Sequence, residues 1–146
     1  MAEATQHIES FGYTQVYPPA SDKSNTNNYT SILAPNTFMV DPYIPSLFIL
    51  PPSTSFHGDP QVDAGALVLQ DRSSCLTALA LLTPLPSSGD AHCIDTCSAP
   101  GNKTLQVASI MGGNGLGTIS AFERSENRFN TLSKRIDLQG ASDFVT

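Results

Sequence analysis

In the second half of the chain, short apolar runs alternate with longer stretches that have helical periodicity. The runs are predicted strands and the periodic stretches predicted helices. In chain order they are strand His92–Ile94, helix Lys103–Met111, strand Thr118–Phe122, a helix capped by Ser125, and a strand from Ser142 to Thr146. In the second helix, Phe129, Leu132 and Ile136 are spaced to form one apolar face. This order predicts the first half of a doubly wound α/β sheet.

The first half of the chain is less regular. Its predicted elements are a short helix over residues 2–10 that Gly12 ends, strands at Tyr13–Tyr17, Phe38–Val40, Leu47–Leu50 and Ala66–Leu69, and a helix over Ser73–Leu82. Pro18–Thr30 and Pro51–Asp63 are rich in residues that break periodicity and are predicted to be irregular. We therefore predict a small, irregular α+β segment over residues 1–64, followed by an α/β domain over residues 65–146.

The composition limits the partners of the chain. With 146 residues it can form a real core, and its 7 basic and 13 acidic residues give a net charge of −6. Affinity for nucleic acid comes largely from Lys and Arg on phosphates, so this balance predicts a weak stand-alone nucleic-acid binder. No stretch reaches the roughly 18 apolar residues of a membrane helix, and the N-terminus lacks a signal pattern, so no membrane partner is predicted.

Three cysteines, an odd number, indicate reduced thiols of an intracellular protein rather than a disulfide framework. Cys75 and Cys93 lie in apolar segments and are predicted to be core residues. Cys93 and Cys97 are separated by three residues, with His92 beside them, but the sequence offers no second pair of ligands. We therefore predict no metal site.

The segment from His92 to Thr104 has the order of a ligand site in an open α/β sheet. A strand that ends at Asp95 is followed by a turn of small residues and by the start of a helix. Free backbone N–H groups at a helix start can receive a polar or anionic group, and small side chains permit close approach. A phosphate-binding P-loop is excluded because Asn102 stands where that motif needs glycine, and the segment is not G-x-G-x-x-G either.

Asp95–Thr104 resembles motif I of the Sun-type (NSUN) RNA cytosine-5 methyltransferases, D-x-C-A-A-P-G-N-K-T, with Ser98 in place of one alanine. Gly65–Cys75 resembles the segment G-x-L-x-L-Q-D-R-A-S-C that precedes the cofactor domain of that family. Asp41–Leu47 resembles the lead-in found in the branch that acts on large-subunit ribosomal RNA. The resemblance runs from about Phe38 to the end, and residues 1–37 resemble only loosely the small RNA-contacting subdomain of the family.

The resemblance implies a site for S-adenosylmethionine (SAM). The cofactor-binding residues that it implies are Cys97, Ser98, Ala99, Pro100, Gly101, Asn102 and Lys103 around the methionine part, Glu123 on the ribose, and Arg128 beside the cofactor. For Glu123 the position agrees with the general rule, since an acid at the end of the second strand accepts ribose hydroxyls in nucleotide-binding α/β folds. The alternatives are an ordinary βα turn for the loop, a surface position for Lys103, and solvated helix positions for Glu123 and Arg128.

The resemblance also implies where catalysis resides. In the family, an acid at the end of the third strand and cysteines in Pro-Cys and Thr-Cys contexts do the chemistry, and we expect these catalytic residues beyond Thr146. The chain is thus interpreted as an interior fragment with the cofactor-binding half of an incomplete Rossmann-like fold. It is expected to lack activity by itself and to bind RNA weakly.

The family resemblance implies that the complete enzyme acts on RNA, with ribosomal RNA as the expected substrate. It also implies a location in the nucleus or nucleolus. Two other hypotheses remain open at this point. One is a SAM-binding or interaction module without catalysis, and the other is an unrelated nucleotide-binding α/β domain.

Overall fold

A computed structural model describes residues 2–17, 33–44, 46–52, 54–83 and 91–146, apart from the side chain of Asn114. The chain forms two compact units, residues 1–57 and residues 58–146. The predicted loop Pro18–Thr30 lies outside the described residues. The assignment of residues 1–64 and 65–146 to two functional domains stays a prediction.

The first unit contains one helix and three short strands. They are α1 (Ala2–Ser10), β1 (Thr14–Gln15), β2 (Thr37–Val40) and β3 (Phe48–Ile49), with β2 paired in parallel to β1 and antiparallel to β3. The turn between β2 and β3 is closed by Asp41, whose Oδ1 accepts the N–H groups of Tyr43 at 2.8 Å and Ile44 at 3.0 Å. These bonds satisfy a carboxylate that is only 2 % exposed.

The second unit contains a two-stranded parallel sheet. Its elements are α2 (Pro60–Asp63), α3 (Arg72–Leu82), β4 (Ala91–Asp95), α4 (Asn102–Asn114), β5 (Gly117–Ala121) and α5 (Glu126–Leu138). β4 and β5 pair in register from Ala91 opposite Gly117 to Asp95 opposite Ala121, and α4 forms the crossover between them. The core of this unit is built by apolar residues of the helices and strands, among them Ala78, Cys93, Leu105, Met111, Ile119 and Val145. The predicted parallel strand, helix, strand order is therefore confirmed.

Gly117 allows β5 to start close against β4. Its φ is +136°, and a Cβ at this position would lie 1.8 Å from the carbonyl oxygen of Ala91. Only glycine fits this approach, because any other side chain would overlap the backbone of the neighbouring strand.

The segment before β4 is attached to α4 by side-chain amides. Nε2 of Gln70 donates to Oε1 of Gln106 at 2.8 Å, and Nε2 of Gln106 donates to the carbonyl oxygen of Cys75 at 3.3 Å. The prediction of a strand at Ala66–Leu69, in the same segment, is wrong. The N–H groups of Ala66 and Leu67 both donate to the carbonyl of Gln61, so the chain folds back on the end of α2.

Three further predictions are corrected. The region predicted to be irregular contains α2, because Oδ1 of Asp59 accepts two N–H groups at its start and Pro60 occupies its first position. The predicted strand Ser142–Thr146 is reduced to a parallel bridge between Ile119 and Val145. Phe129 is 48 % exposed although its spacing put it on the predicted apolar face with Leu132. On α5, Arg128 donates to the carbonyl oxygen of Ala99, and Phe129 lies about 100° further round the helix.

Candidate functional site

The candidate site lies at the carboxyl ends of β4 and β5, where two chain segments are joined to each other. The N–H of Phe122 donates to the carbonyl of Asp95 at 2.8 Å, and the N–H of Ser98 donates to the carbonyl of Phe122 at 3.0 Å. The loop that leaves β4 and the residues that leave β5 therefore share one edge of the sheet. This is the edge at which open α/β sheets bind ligands.

Asp95 connects the end of β4 to the start of α4. Its Oδ1 accepts the N–H of Cys97 at 3.1 Å, and its Oδ2 accepts the hydroxyl of Thr104 at 2.7 Å. Thr104 is 1 % exposed. The acid that opens the motif therefore shapes the loop, and both of its oxygens are engaged within the protein.

Ser98 is the position at which the motif departs from the family pattern. Its hydroxyl lies 2.8 Å from the carbonyl oxygen of Asp95 and 3.1 Å from that of Phe122, to which it can donate. The side chain is buried, so it binds the two strand ends together. A cofactor contact from this residue would have to come from its backbone.

The loop between β4 and α4 is contacted by α5 at three successive residues. Arg128 Nη2 donates to the carbonyl oxygen of Ala99, and Arg135 Nη1 donates to that of Pro100 at 3.3 Å. The Ala99–Pro100 peptide bond is cis, and Gly101 has a φ of +105°. This φ favours glycine, and a Cβ on Gly101 would also lie 2.9 Å from Cδ1 of Leu132, which would have to shift.

The remaining predicted residues of the loop differ in their environment. Asn102 is the first residue of α4, and its Nδ2 donates to the carbonyl of Leu69 at 3.1 Å. Its Oδ1 is buried without a hydrogen-bond partner among the described residues. Cys97 and Lys103 are exposed. The amide of Asn102 therefore ties the preceding segment to the start of α4, whereas Cys97 and Lys103 are accessible from solvent.

Glu123 is a second carboxylate of the site, and it is held by one hydrogen bond and one ion pair. Its side chain is 5 % exposed, Oε1 accepts the N–H of Ser125 at 2.9 Å, and Oε2 lies 3.4 Å from Nη2 of Arg128. The hydrogen bond from Ser125 lowers the pKa of Glu123, against the effect of burial, with help from the charge of Arg128 and the backbone N–H groups of Arg124 and Ala99. The carboxyl group is therefore ionised at neutral pH.

Oε2 of Glu123 retains free acceptor capacity. It is buried and has no hydrogen-bond partner among the described residues, although Arg128 balances its charge. A buried carboxylate oxygen of this kind suits a ligand that brings an O–H donor, and a carboxylate can accept two of them. The structure thus brings Glu123 and Arg128 to the loop formed by Ala99, Pro100 and Gly101.

Cys75, Cys93 and His92 lie apart from this arrangement. Cys75 and Cys93 are buried, as predicted, and burial raises the pKa of the Cys93 thiol. His92 is on the exposed face of the sheet, with its ring nitrogens 2.9 Å from the hydroxyl of Thr118 and 3.1 Å from that of Ser120. Within the described residues, no three His, Cys, Asp or Glu side chains are grouped to hold a metal ion, and no helix is long and apolar enough to cross a membrane.

Arg135 is a residue of the site that the sequence analysis missed. The motif analysis followed residues that contact a ligand directly, whereas Arg135 contacts the backbone of the loop. Its spacing of seven positions from Arg128, with Leu132 between them, is the signal that could have found it, because such residues share one face of a helix.

Comparison with known proteins connects both units to one family. Residues 1–70 match the model of the ferredoxin-like domain of NOL1/NOP2/Sun domain family member 5. A mouse protein named 28S rRNA (cytosine-C(5))-methyltransferase is 40 % identical over 116 residues, which are 75 % of this chain and 24 % of the mouse protein. The chain therefore spans about a quarter of the length of this relative.

Two solved structures support the fold. The crystal structure of PH0851 matches all of this chain and 26 % of its own length with a TM-score of 0.69, and at 18 % identity it shows the fold alone. The crystal structure of NSun6 from Pyrococcus horikoshii with SFG matches 68 % of this chain and 23 % of its own length, with 29 % identity and a TM-score of 0.54. The resemblance predicted from the motifs is thus confirmed, and the chain is a relative of the NOL1/NOP2/Sun (NSUN) family that matches its member 5 over residues 1–70.

Proposed function

We propose that this chain is the cofactor-binding half of a SAM-dependent RNA cytosine-5 methyltransferase that acts on large-subunit ribosomal RNA. The name of the mouse relative supports the reaction and the substrate. The observation that carries the proposal is the buried Oε2 of Glu123, which is ion-paired with Arg128 but has no hydrogen bond among the described residues. It lies at the strand edge that also holds the loop of Cys97 to Lys103, called here the motif loop. This oxygen is the acceptor that the ribose of a nucleoside cofactor requires.

The residues of the site fit SAM. Cys97 to Lys103 form a loop of mostly small side chains next to the start of α4, and Glu123 and Arg128 lie at the same edge. When bound, SAM supplies the electrophilic methyl group of the reaction. The likeness to NSun6, solved with the SAM analogue SFG, supports this choice of cofactor over other nucleotides.

The proposal includes an organisation of the complete protein. Residues 1–64 are the N-terminal RNA-contacting part, and residues 65–146 are the first half of an incomplete methyltransferase sheet. A complete enzyme of this kind, acting on ribosomal RNA, belongs in the nucleus or nucleolus.

Titration calorimetry of the chain with SAM tests the cofactor. We expect binding of SAM and no measurable binding of ATP or NAD at the same concentrations. Binding of ATP or NAD in preference to SAM would favour a different nucleotide-binding domain and overturn the proposal. Absence of all binding would equally contradict it.

Transfer of a labelled methyl group from SAM to ribosomal RNA tests whether the chain lacks the catalytic group of the complete enzyme. We expect no transfer by the 146-residue chain. Cytosine C5 becomes nucleophilic when a thiolate adds to C6, and no cysteine here has the Pro-Cys context of the family. Cys97 does follow a threonine, but it lies within Asp95–Thr104, the segment that resembles motif I, and not in a segment that resembles the catalytic Thr-Cys motif. Transfer above a protein-free blank would show that the chain carries its own catalytic group.

A further inference from the structure

The helix α5 presents one line of three residues to the motif loop. Arg128, Leu132 and Arg135, called here the α5 stripe, are spaced by four and three positions and so share one helix face. They contact Ala99, Gly101 and Pro100 respectively. The whole cis-proline turn is therefore held from one side by one element.

The contacts of the α5 stripe fix how the loop peptides are oriented. The bond between Pro100 and Gly101 is trans, so its C=O and N–H point in opposite directions. Since Arg135 Nη1 donates to the Pro100 carbonyl, the N–H of Gly101 is turned away from α5. A rotation of this peptide would break the contact with Arg135.

The same contact also changes the strength of that N–H as a donor. A carbonyl that accepts a hydrogen bond from a charged group polarises its peptide, and the N–H of the peptide becomes a better donor. Leu132 prevents the loop from moving towards the helix, because its side chain is 1 % exposed and packs directly against Gly101.

From these contacts we infer that Arg135 is a positioning residue of the motif loop. It acts with Arg128 and Leu132 to present the Gly101 N–H to a negatively charged group of the ligand, which is the carboxylate of the methionine part of SAM. This inference rests on the proposed function for the identity of the ligand. The orientation of the Gly101 peptide can be tested without it.

The sequence allows that peptide to be observed alone. Pro100-Gly101 is the single Pro-Gly pair in the chain, so labelling proline with ¹³C at the carbonyl and glycine with ¹⁵N selects one amide resonance. The variants are Arg135→Gln, Arg135→Lys and the control Lys134→Gln. Lys134→Gln removes the same charge from an exposed neighbour on the same helix.

We expect Arg135→Gln to shift the Gly101 amide resonance in the ligand-free chain and to weaken SAM binding about fivefold. Arg135→Lys keeps a charged donor, so the Gly101 resonance and the SAM affinity should lie close to their wild-type values. Lys134→Gln should change neither the resonance nor the affinity. In the wild-type chain, SAM should shift the same resonance further.

Two results would overturn the inference: an unshifted Gly101 resonance in Arg135→Gln, or full SAM affinity in that variant. If the wild-type chain does not bind SAM, the proposed function fails. The role of Arg135 is then decided by the resonance of the ligand-free chain. If Arg135→Gln does not fold by circular dichroism, the smaller residual shift in Arg135→Lys decides, measured against Lys134→Gln, since a lysine donates to the carbonyl but does not fully reproduce the guanidinium geometry. No residual shift would then overturn the inference.

Discussion

At the end of β5, the two oxygens of Glu123 have different surroundings. Oε1 accepts the backbone of Ser125, which fixes the carboxylate at the start of α5, and Oε2 is buried without a hydrogen-bond partner among the described residues. Arg128 compensates its charge at 3.4 Å without a hydrogen bond. One oxygen of this side chain thus holds the start of α5, and the other is left without a hydrogen bond.

We expect Glu123→Gln to weaken SAM binding at least about tenfold, since it replaces two charge-assisted hydrogen bonds by neutral ones. Calorimetric titration of both variants measures the effect. Glu126→Gln is the matched control, because it removes the same charge from an exposed residue in the first turn of α5. Equal affinities for Glu123→Gln and the wild type would reduce Glu123 to a helix-start acid without a ligand role.

The pH dependence of stability should identify the same carboxylate. The pKa of Glu123 is lower in the folded chain, chiefly because of the Ser125 hydrogen bond, so ionised Glu123 stabilises the fold. That contribution is complete above the pKa of the unfolded state and is lost as pH falls through the lowered pKa of the folded state. We expect a small difference in melting temperature between wild type and Glu123→Gln at pH 7 that disappears in acid. A difference that is independent of pH would contradict this assignment.

At the scale of elements, α5 shows that tertiary contacts decide which face of a helix is buried, and that sequence periodicity alone does not predict it. Phe129 and Leu132 are both apolar and both fit helical spacing, yet Leu132 is 1 % exposed and Phe129 is 48 % exposed. The stripe that faces the loop begins at Arg128, because its guanidinium reaches a loop carbonyl. Phe129 lies about 100° further round the helix.

We expect Leu132→Ala to lower the free energy of unfolding by about 2–5 kcal/mol, since it leaves a cavity under the loop. Phe129→Ala, on the same helix, should change it by about 0.5 kcal/mol or less, as is usual for an exposed position. Urea unfolding curves of the two variants and the wild type measure both values. Similar losses from the two substitutions would mean that Phe129 is covered in solution.

The net charge of −6 is a property of the whole molecule and bears on its affinity for RNA. Three of its 7 basic residues, Lys103, Arg128 and Arg135, lie at the candidate site, and both arginines donate to loop carbonyls. These two side chains are therefore engaged within the protein. Little positive charge is left in the site for phosphates.

We expect weak or undetectable binding of the chain to ribosomal RNA at physiological salt, because few phosphates can be neutralised. Fluorescence anisotropy with a labelled RNA fragment, repeated at low and high salt, measures it. A tight complex whose affinity falls steeply with salt would show that a local basic surface outweighs the net charge.

The sequence by itself indicated the family resemblance and the place of the candidate site in the fold. Asp95–Thr104 carries the motif, and the apolar runs around it predicted β4 and β5 because strand and helix periodicities are local properties. The position of Glu123 after the second strand follows from the same order, since parallel strands end at one edge. Cys75 and Cys93 were predicted to be buried from their apolar neighbours for the same reason.

Only the tertiary structure decided which groups are available to a ligand. Ser98 and Asn102 belong to the motif, but their side chains bind carbonyls of Asp95, Phe122 and Leu69. Arg135 acts on a loop that is thirty-five positions away, and Ala66–Leu69 folds back although its composition suits a strand. These outcomes depend on hydrogen bonds between distant segments, and such bonds exist only once the chain has packed.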